Sequence, residues 1–143
     1  MITRYLSKIL LVVASLGGLS GCSHPKGPEC VPVSGKISYK GKPLAEAMIV
    51  LHPLDGNVEG NHKPIARSAA DGTFSLTTFK SNDGAPPGRY AITVELRAPQ
   101  MVGEEVVRNG ENLLPVKYSK PETSGLRVAV EQGSNEVPPI NLL

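Results

Sequence analysis

Residues 89–97 read Arg89-Tyr90-Ala91-Ile92-Thr93-Val94-Glu95-Leu96-Arg97, and this stretch decides the fold. Its large apolar side chains alternate with small, polar or charged ones. In an extended chain, alternate residues share one face. A period of two is typical of a β-strand with one buried and one solvated face. We therefore predict a strand here that contributes to the core of an all-β domain.

The same period recurs along the chain after residue 32, between segments rich in Gly, Pro, Asn and Asp. The further predicted strands are 33–39, 47–51, 64–70, 73–79, 126–131 and 137–142. The run 47–51 is more continuously apolar, which favours a central strand covered on both faces. Pro138 and Pro139 cannot donate backbone hydrogen bonds, so the last strand is expected at an edge. About seven strands without a helical period predict an antiparallel Greek-key β-sandwich.

Two turns in this pattern carry residues with a predicted structural role. Asp71-Gly72 separates two predicted strands and is a strong hairpin signal, because the turn requires a positive φ that glycine adopts easily. Gly88 stands two residues before Tyr90 and resembles a tyrosine corner, in which the phenol bonds back to the backbone. We interpret Asp71, Gly72, Gly88 and Tyr90 as folding devices.

The amino-terminal segment is typical of a targeting signal. Arg4 and Lys8 precede a short apolar core at 9–16, and small residues then lead to Cys22. The core is well short of the roughly 20 apolar residues that a membrane span needs. The alternatives to a lipoprotein signal are a transmembrane anchor and an ordinary secretory signal with a chance cysteine.

The sequence Leu19-Ser20-Gly21-Cys22 resembles the lipobox of bacterial lipoproteins. The resemblance implies that residues 1–21 are removed and that Cys22 carries diacylglycerol and acyl chains, which anchor the chain to a membrane. Ser23 after the cysteine favours the outer over the inner membrane. Residues 22–32, rich in Pro and Gly, then form a tether ahead of one domain at 33–143.

Without residues 1–21 the chain has 122 residues, the usual size of one domain, and carries 13 basic and 13 acidic side chains. The basic excess of the full sequence belongs to the signal. Neutral charge without Lys or Arg clusters indicates no nucleic-acid partner. Cys30 has no partner within the mature chain once Cys22 is lipidated, so it is an idle thiol or pairs between molecules.

Residue types that carry chemistry are sparse. His24, His52 and His62 show no metal-ligand spacing on one predicted element, and we expect no metal site. The acidic loops 54–57 and 81–84 lack the full carboxylate set of a calcium loop and are interpreted as turns. No nucleophile, zinc or phosphate-loop motif is present, so we expect no enzyme and no cofactor other than the lipid on Cys22.

Four segments in order resemble the carboxypeptidase regulatory-like domain of the transthyretin-like superfamily. They are Ser34-Gly35-Lys36-Ile37, Gly41-Lys42-Pro43-Leu44-Ala45-Glu46-Ala47, Ala70-Asp71-Gly72-Thr73-Phe74 and Pro87-Gly88-Arg89-Tyr90-Ala91-Ile92-Thr93-Val94. The segments Leu114-Pro115-Val116-Lys117-Tyr118-Ser119 and Ser124-Gly125-Leu126 further resemble small bacterial lipoproteins that carry this domain as their only module. The resemblance covers 33–143 and implies a transthyretin-like or immunoglobulin-like sandwich. The superfamily includes a urate-pathway hydrolase with a Tyr-Arg-Gly-Ser terminus, whereas this chain ends Ile140-Asn141-Leu142-Leu143.

The connection 98–116 carries more apolar residues than a solvated loop should. It is expected to hold a short extra strand or to fold over a sheet end, and long connections of this kind are usually functional. The resemblance implies a non-catalytic interaction or structural module with an envelope protein as partner. The alternative is a lipoprotein that binds a small ligand or carbohydrate, although the absence of Trp leaves few rings for stacking on sugars.

Overall fold

The computed structural model describes residues 27–56 and 61–143. The predicted signal peptide at 1–21, Cys22, His24 and the first half of the tether lie outside these residues. The described residues form eleven strands: β1 Val33–Tyr39, β2 Lys42–Pro43, β3 Met48–Pro53, β4 Ile65–Arg67, β5 Thr73–Ser75, β6 Gly88–Glu95, β7 Arg97–Val102, β8 Glu105–Asn112, β9 Leu126–Val130, β10 Asn135–Glu136 and β11 Ile140–Leu142. The count exceeds seven because the segments predicted as turns or connections contain four further strands, β2, β7, β8 and β10.

Strand β6, which contains most of the alternating segment 89–97, lies in the middle of a four-stranded sheet. The sheet has the order β4-β3-β6-β9, and every pairing in it is antiparallel. Ile92 lies opposite Leu51 of β3 and Leu126 of β9, and these inward residues form the buried face. The predicted alternation thus places one sheet face in the core. The other face of β6 is not solvated as predicted, because Ala91 and Thr93 are also buried and residues 116–119 pack along the strand.

The second sheet is built around β1. On one side β1 pairs in antiparallel fashion with β2 and β5, and on the other it pairs in parallel with β10 and β11. The parallel pairings differ from the wholly antiparallel prediction. They arise because the chain reaches β10 from the opposite sheet, so that no hairpin dictates its direction. The predicted last strand is shortened to β11 after Pro138 and Pro139, and the short β10 lies before the prolines, in the predicted turn.

The two sheets enclose one hydrophobic core. Ile37, Phe74 and Leu142 project into it from the sheet around β1, and Ile49 and Val94 from the opposite sheet. All five are at least 95% buried. The described chain is therefore the all-β sandwich that the period-two pattern predicts.

Two segments of the structure differ in detail from the sequence expectations. The run at 47–51 is not covered on both faces, because Ile49 and Leu51 are fully buried while Met48 and Val50 on the outer face are half-buried. The connection 98–116 contains two strands, β7 and β8, which pair only with each other in a two-stranded ribbon.

The connection then makes a 3₁₀ turn at Val116–Ser119, which packs along β6. No helix in the described ranges is long and apolar enough to cross a bilayer.

Candidate interaction surface

The ribbon of β7 and β8 carries three of the nine exposed large apolar residues of the described chain. Its strands are joined by a two-residue turn at Gly103-Glu104, where Gly103 has a φ of +64°. Glycine at the first central position is the signature of a type II′ hairpin, whose twist suits the flanking strands. The apolar residues Met101, Val102 and Val106 near this turn are 65%, 56% and 66% exposed.

The base of the ribbon is attached to the sandwich by polar contacts. The Asn112 side-chain oxygen accepts hydrogen bonds from the backbone N–H groups of Leu96 and Leu114. The Arg108 guanidinium lies 3.6 Å from the Glu46 carboxylate, which also contacts Arg67 of β4 at 3.4 Å. These contacts orient the base and leave the apolar end of the ribbon in solvent.

A groove of about 700 Å³ lies where the edges of the two sheets meet at β4 and β5. Its rim carries Lys36, Arg67 and Glu136, and hydroxyl groups lie along it from Ser34, Thr73, Ser75 and Thr77. Phe74 is the one aromatic residue of the lining, and it is 4% exposed. The groove therefore presents hydrogen-bonding groups without an open ring for stacking.

Asp71 and Gly72 lie in a turn that differs from the predicted two-residue hairpin. The Gly72 N–H donates to Ala69 O, and the Ala69 N–H donates to Thr73 O, which closes a three-residue loop. Only Gly72 has a positive φ, +82°, and the Asp71 carboxylate accepts from the Thr73 N–H and hydroxyl. These two hydrogen bonds lower the pKa of Asp71.

The strands beside this turn do not form a ladder with each other. Strand β4 pairs with β3 in one sheet, and β5 pairs with β1 in the other. A single bridge, Ile65 to Thr77, links the two arms. The turn therefore carries the chain between sheets, an outcome that local turn signals do not distinguish from an ordinary hairpin.

Gly88 and Tyr90 lie at the start of β6, on the side of the sandwich that receives the tether. The Tyr90 ring is fully buried, and its hydroxyl donates a 2.6 Å hydrogen bond to Pro86 O, four residues upstream. Burial, with the nearby Cys30 thiol, raises the pKa of Tyr90 to about 12. Gly88 has a φ of +156°. Both residues therefore act in packing and chain direction.

In the loop 81–84, the carboxylate of Asp83 binds backbone N–H groups of the residues just before the loop. One oxygen of the Asp83 carboxylate accepts from the Thr78 N–H at 2.7 Å, and the other accepts from the Phe79 and Lys80 N–H groups at 2.9 Å. Burial raises the pKa of Asp83, but these donors outweigh burial, and the pKa lies below its ordinary value. Both oxygens of Asp83 therefore serve the turn.

The loop 54–57 is described up to residue 56 and is also bound internally. Asp55 makes a two-pronged ion pair with Arg89 of β6, which lowers the pKa of the carboxyl and raises that of the guanidinium. Within the described ranges, no group of three or more His, Cys, Asp or Glu side chains is placed to hold a metal ion.

The two described histidines and Cys30 lie apart. His52 Nε2 is 2.8 Å from the Thr93 hydroxyl, and sequence reasoning did not find this partner. Burial lowers the pKa of His52, and the charge of Lys63 lowers it further. The His62 ring packs edge-on against Phe79 at 4.6 Å between centroids. Cys30 has a free, half-buried thiol whose pKa is raised, chiefly by burial.

Sequence reasoning found the region of the exposed ribbon but not its form. The available signal was the Val102-Gly103-Glu104-Glu105 sequence between two short apolar runs. The same reasoning missed Gly84, whose φ is +90° and whose Cα lies against the Val31 carbonyl. Asp83-Gly84 was interpreted only as a generic turn.

No protein-family model matches this chain, and no curated protein matches it. Among solved structures, it is similar to a DUF3823 family protein from Parabacteroides merdae, with 20% identity and a TM-score of 0.41 over 81% of this chain and 46% of that one. A DUF3823 family protein from Bacteroides ovatus gives 18% identity and 0.42 over 78% and 44%. The chain thus spans less than half the length of these two proteins.

A third similar structure is a Pseudomonas aeruginosa protein proposed to bind carbohydrate. It has 13% identity and a TM-score of 0.41, over 82% of this chain and 90% of that one. Similarities of this size assign no function to the chain.

Proposed function

We propose that this chain is a non-catalytic, lipid-anchored lipoprotein of the cell envelope whose β-sandwich presents a protein-interaction surface on the β7–β8 ribbon. The observation that carries the proposal is the exposure of the cross-strand pair Met101 and Val106 on one face of the ribbon end, while Val102 is exposed on the opposite face. Contiguous exposed apolar side chains are typical of protein–protein contact sites.

The exposure contrasts with the packing of the sandwich itself. Large apolar residues such as Ile37, Leu51 and Ile92 are at least 98% buried in one continuous core. Full burial of a Val or Met side chain contributes about 1.5–3 kcal/mol, and each of these exposed residues forgoes part of that free energy. Covering the apolar end of the ribbon with a partner would recover part of this free energy.

The position of the ribbon supports an anchored module. Gly27, the first described residue, lies beside the Phe79 ring, and Val31 pairs with Ala85 just before β6 begins. The ribbon follows the other end of β6, about 25 Å away at the rise of an extended strand. A membrane anchor at Cys22 would therefore hold the tether end and leave the ribbon accessible to a partner.

The support for the lipid anchor and for the family membership comes from the sequence. The lipobox ending at Cys22 supports diacylglycerol attachment, and Ser23 supports the outer membrane. The segments around Gly35, Gly72 and Tyr90 support membership of the carboxypeptidase regulatory-like domains. Each of these residues has a structural role in the sandwich, which suits a scaffold.

A photoactivatable crosslinking amino acid at position 101 tests the interaction surface in living cells. We expect one dominant crosslinked protein species from position 101. The matched control is position 116, where Val116 is 70% exposed on the 3₁₀ turn, away from the ribbon. Equal crosslinking from both positions, or none from position 101, would contradict the proposal.

The groove between β4 and β5 favours a second candidate, the binding of a hydroxyl-rich ligand such as a carbohydrate. The rim residues Lys36, Arg67 and Glu136 and the nearby hydroxyl groups supply donors and acceptors for sugar hydroxyls. Titration with soluble glycans, monitored by chemical shifts, tests it. Shifts confined to the groove and lost in Ser75→Ala, whose hydroxyl is exposed in the groove, would favour this candidate, and an unchanged spectrum would eliminate it for those glycans.

A further inference from the structure

The two outer edges of the β7–β8 ribbon differ in their capacity to accept another strand. The two-residue turn makes Val102 and Glu105 the first hydrogen-bonded pair, and bonded and non-bonded pairs then alternate along the ribbon. The backbone groups of Met101 and Pro99 therefore point out of the β7 edge, and those of Val106 and Arg108 point out of the β8 edge.

Proline blocks one of these edges. Pro99 has no N–H to donate, and proline on an edge is a common defence against strand addition. The β8 edge has no such residue in Glu105–Asn112. Apart from the ladder with β7, the backbone of Val106 and Arg108 makes no hydrogen bond to the rest of the described chain. The β8 edge is therefore open.

The side chains along the open edge are self-complementary. In an antiparallel pair of identical β8 strands centred on Val106, Val106 lies opposite Val106 of the second copy. Arg108, which contacts Glu46 of its own chain at 3.6 Å, then lies next to the hairpin turn of the second copy, which carries Glu104. In this register the outward backbone groups of the two strands face each other. Met101 lies beside Val106 across the ribbon, so both copies form one row, Met101-Val106-Val106-Met101, flanked by opposite charges.

We propose that a second copy of this chain docks on the β8 edge, forming a two-fold, four-stranded antiparallel sheet from two β7–β8 ribbons. This inference rests on the proposed function of the ribbon as an interaction surface and names its partner. Only about five residues of each copy take part, against 20–30 a side in a stable complex, so the dimer is weak and forms at high local concentration.

Disulfide trapping in the full chain, purified in detergent, tests the register. In a Cys30→Ala background, Val106→Cys places two thiols opposite each other, about 5.5 Å apart at the Cα atoms, a separation that a disulfide spans. The matched control is Val102→Cys, which is exposed on the same ribbon but lies on β7, away from the two-fold axis. We expect at least tenfold more dimer from Val106→Cys.

Two substitutions at one position separate strand pairing from apolar adhesion. Val106→Pro removes the outward N–H while preserving an apolar side chain and the ladder with β7, and we expect it to weaken dimerisation at least tenfold. Val106→Thr keeps the N–H and the shape, and we expect a change of less than threefold. Sedimentation equilibrium measures both.

Charge reversal at Glu104 tests the flanking opposite charges. Glu104→Arg places a cation near Arg108 of the second copy, and we expect it to weaken the dimer, whereas Arg108 is left unchanged because it also contacts Glu46 of its own chain. Equal trapping at positions 102 and 106, or dimerisation unaffected by Val106→Pro, would overturn self-pairing. A different protein trapped by Val106→Cys in membranes would overturn self-pairing and leave the proposed function standing. Absence of any association at the ribbon would overturn both.

Discussion

Gly84 lies at a position in the sandwich where a side chain would not fit. Its φ of +90° is unfavourable for residues with a side chain, and a Cβ atom there would collide with the Val31 carbonyl oxygen. That carbonyl accepts the Ala85 N–H at 3.0 Å, and Val31 donates back to Ala85 O at the same distance. The contact holds the tether end against the start of β6. Gly72 is similarly close to the Ile37 carbonyl.

We predict that Gly84→Ala destabilises the domain much more than Gly133→Ala. Gly133 has a similar φ, +100°, with open space around it, so alanine there costs only the backbone strain of about 1–3 kcal/mol. At Gly84 the same strain is joined by loss of the Val31–Ala85 bridge. Urea unfolding measures both free energies, and equal losses would show that the Val31 contact is unimportant.

Tyr90 and Pro86 give a second prediction at the residue scale. Tyr90→Phe keeps the ring and leaves the buried Pro86 carbonyl without its 2.6 Å donor, which costs about 1–3 kcal/mol. Tyr39→Phe is the control, because Tyr39 is half-buried and its hydroxyl has no hydrogen-bond partner among the described residues. Comparable stability of the two variants in urea would contradict a role for the Tyr90 hydroxyl.

At the scale of elements, the short turns carry as much of the architecture as the strands. The turn at Gly72 transfers the chain from one sheet to the other, and the loop closed by Asp83 directs the chain from β5 back to β6. The β7–β8 ribbon, by contrast, is attached to the sandwich mainly at its base, through Asn112 and Arg108. The strands of the two sheets form the core, whereas the apolar end of the ribbon stays exposed.

We predict that the Asp83 carboxylate makes the stability of the domain depend on pH. Its pKa is depressed in the folded state, so its contribution is present above the unfolded pKa of about 4 and is lost as the pH falls through the folded value. Asp83→Asn should lower stability at pH 7 by about 1–2 kcal/mol and flatten the loss between about pH 5 and pH 2.

Thermal unfolding across that pH range checks the expectation. Glu122→Gln is the control, because Glu122 accepts no hydrogen bond from the described residues. A profile for Asp83→Asn as steep as that of the unmodified chain would assign the acid sensitivity to other carboxyls, such as Asp55 or Asp71.

At the scale of the whole molecule, the chain has two ends with different surfaces. The tether enters beside Phe79 and Ala85, and the ribbon leaves from the far end of β6. An anchor at the first end and a contact at the second need not interfere, since the core of the sandwich separates them. The geometry suits a module that holds a binding surface at a distance from its point of attachment.

We predict that Cys22→Ala abolishes lipid attachment while the domain stays folded. All acyl chains of a lipoprotein depend on this thiol, and stable anchoring requires more than one chain. Metabolic labelling with a fatty acid and membrane fractionation measure the effect, and circular dichroism checks the fold. Cys30→Ala is the control and should keep label and location. Label retained on Cys22→Ala would contradict the lipoprotein assignment.

The sequence alone determined the fold class and the position of most strands. Alternation at 89–97 survives as β6 because a strand with one apolar face is stable only when that face is buried against another layer. The tertiary structure decided the pairings: β1 beside β10 and β11 in parallel, and the Gly72 turn between sheets rather than within one. It also decided that Asp83 binds its own backbone and that Met101 and Val106 stay exposed. Period and turn chemistry are local properties, whereas pairing and exposure depend on which distant segments compete for the same edge or face.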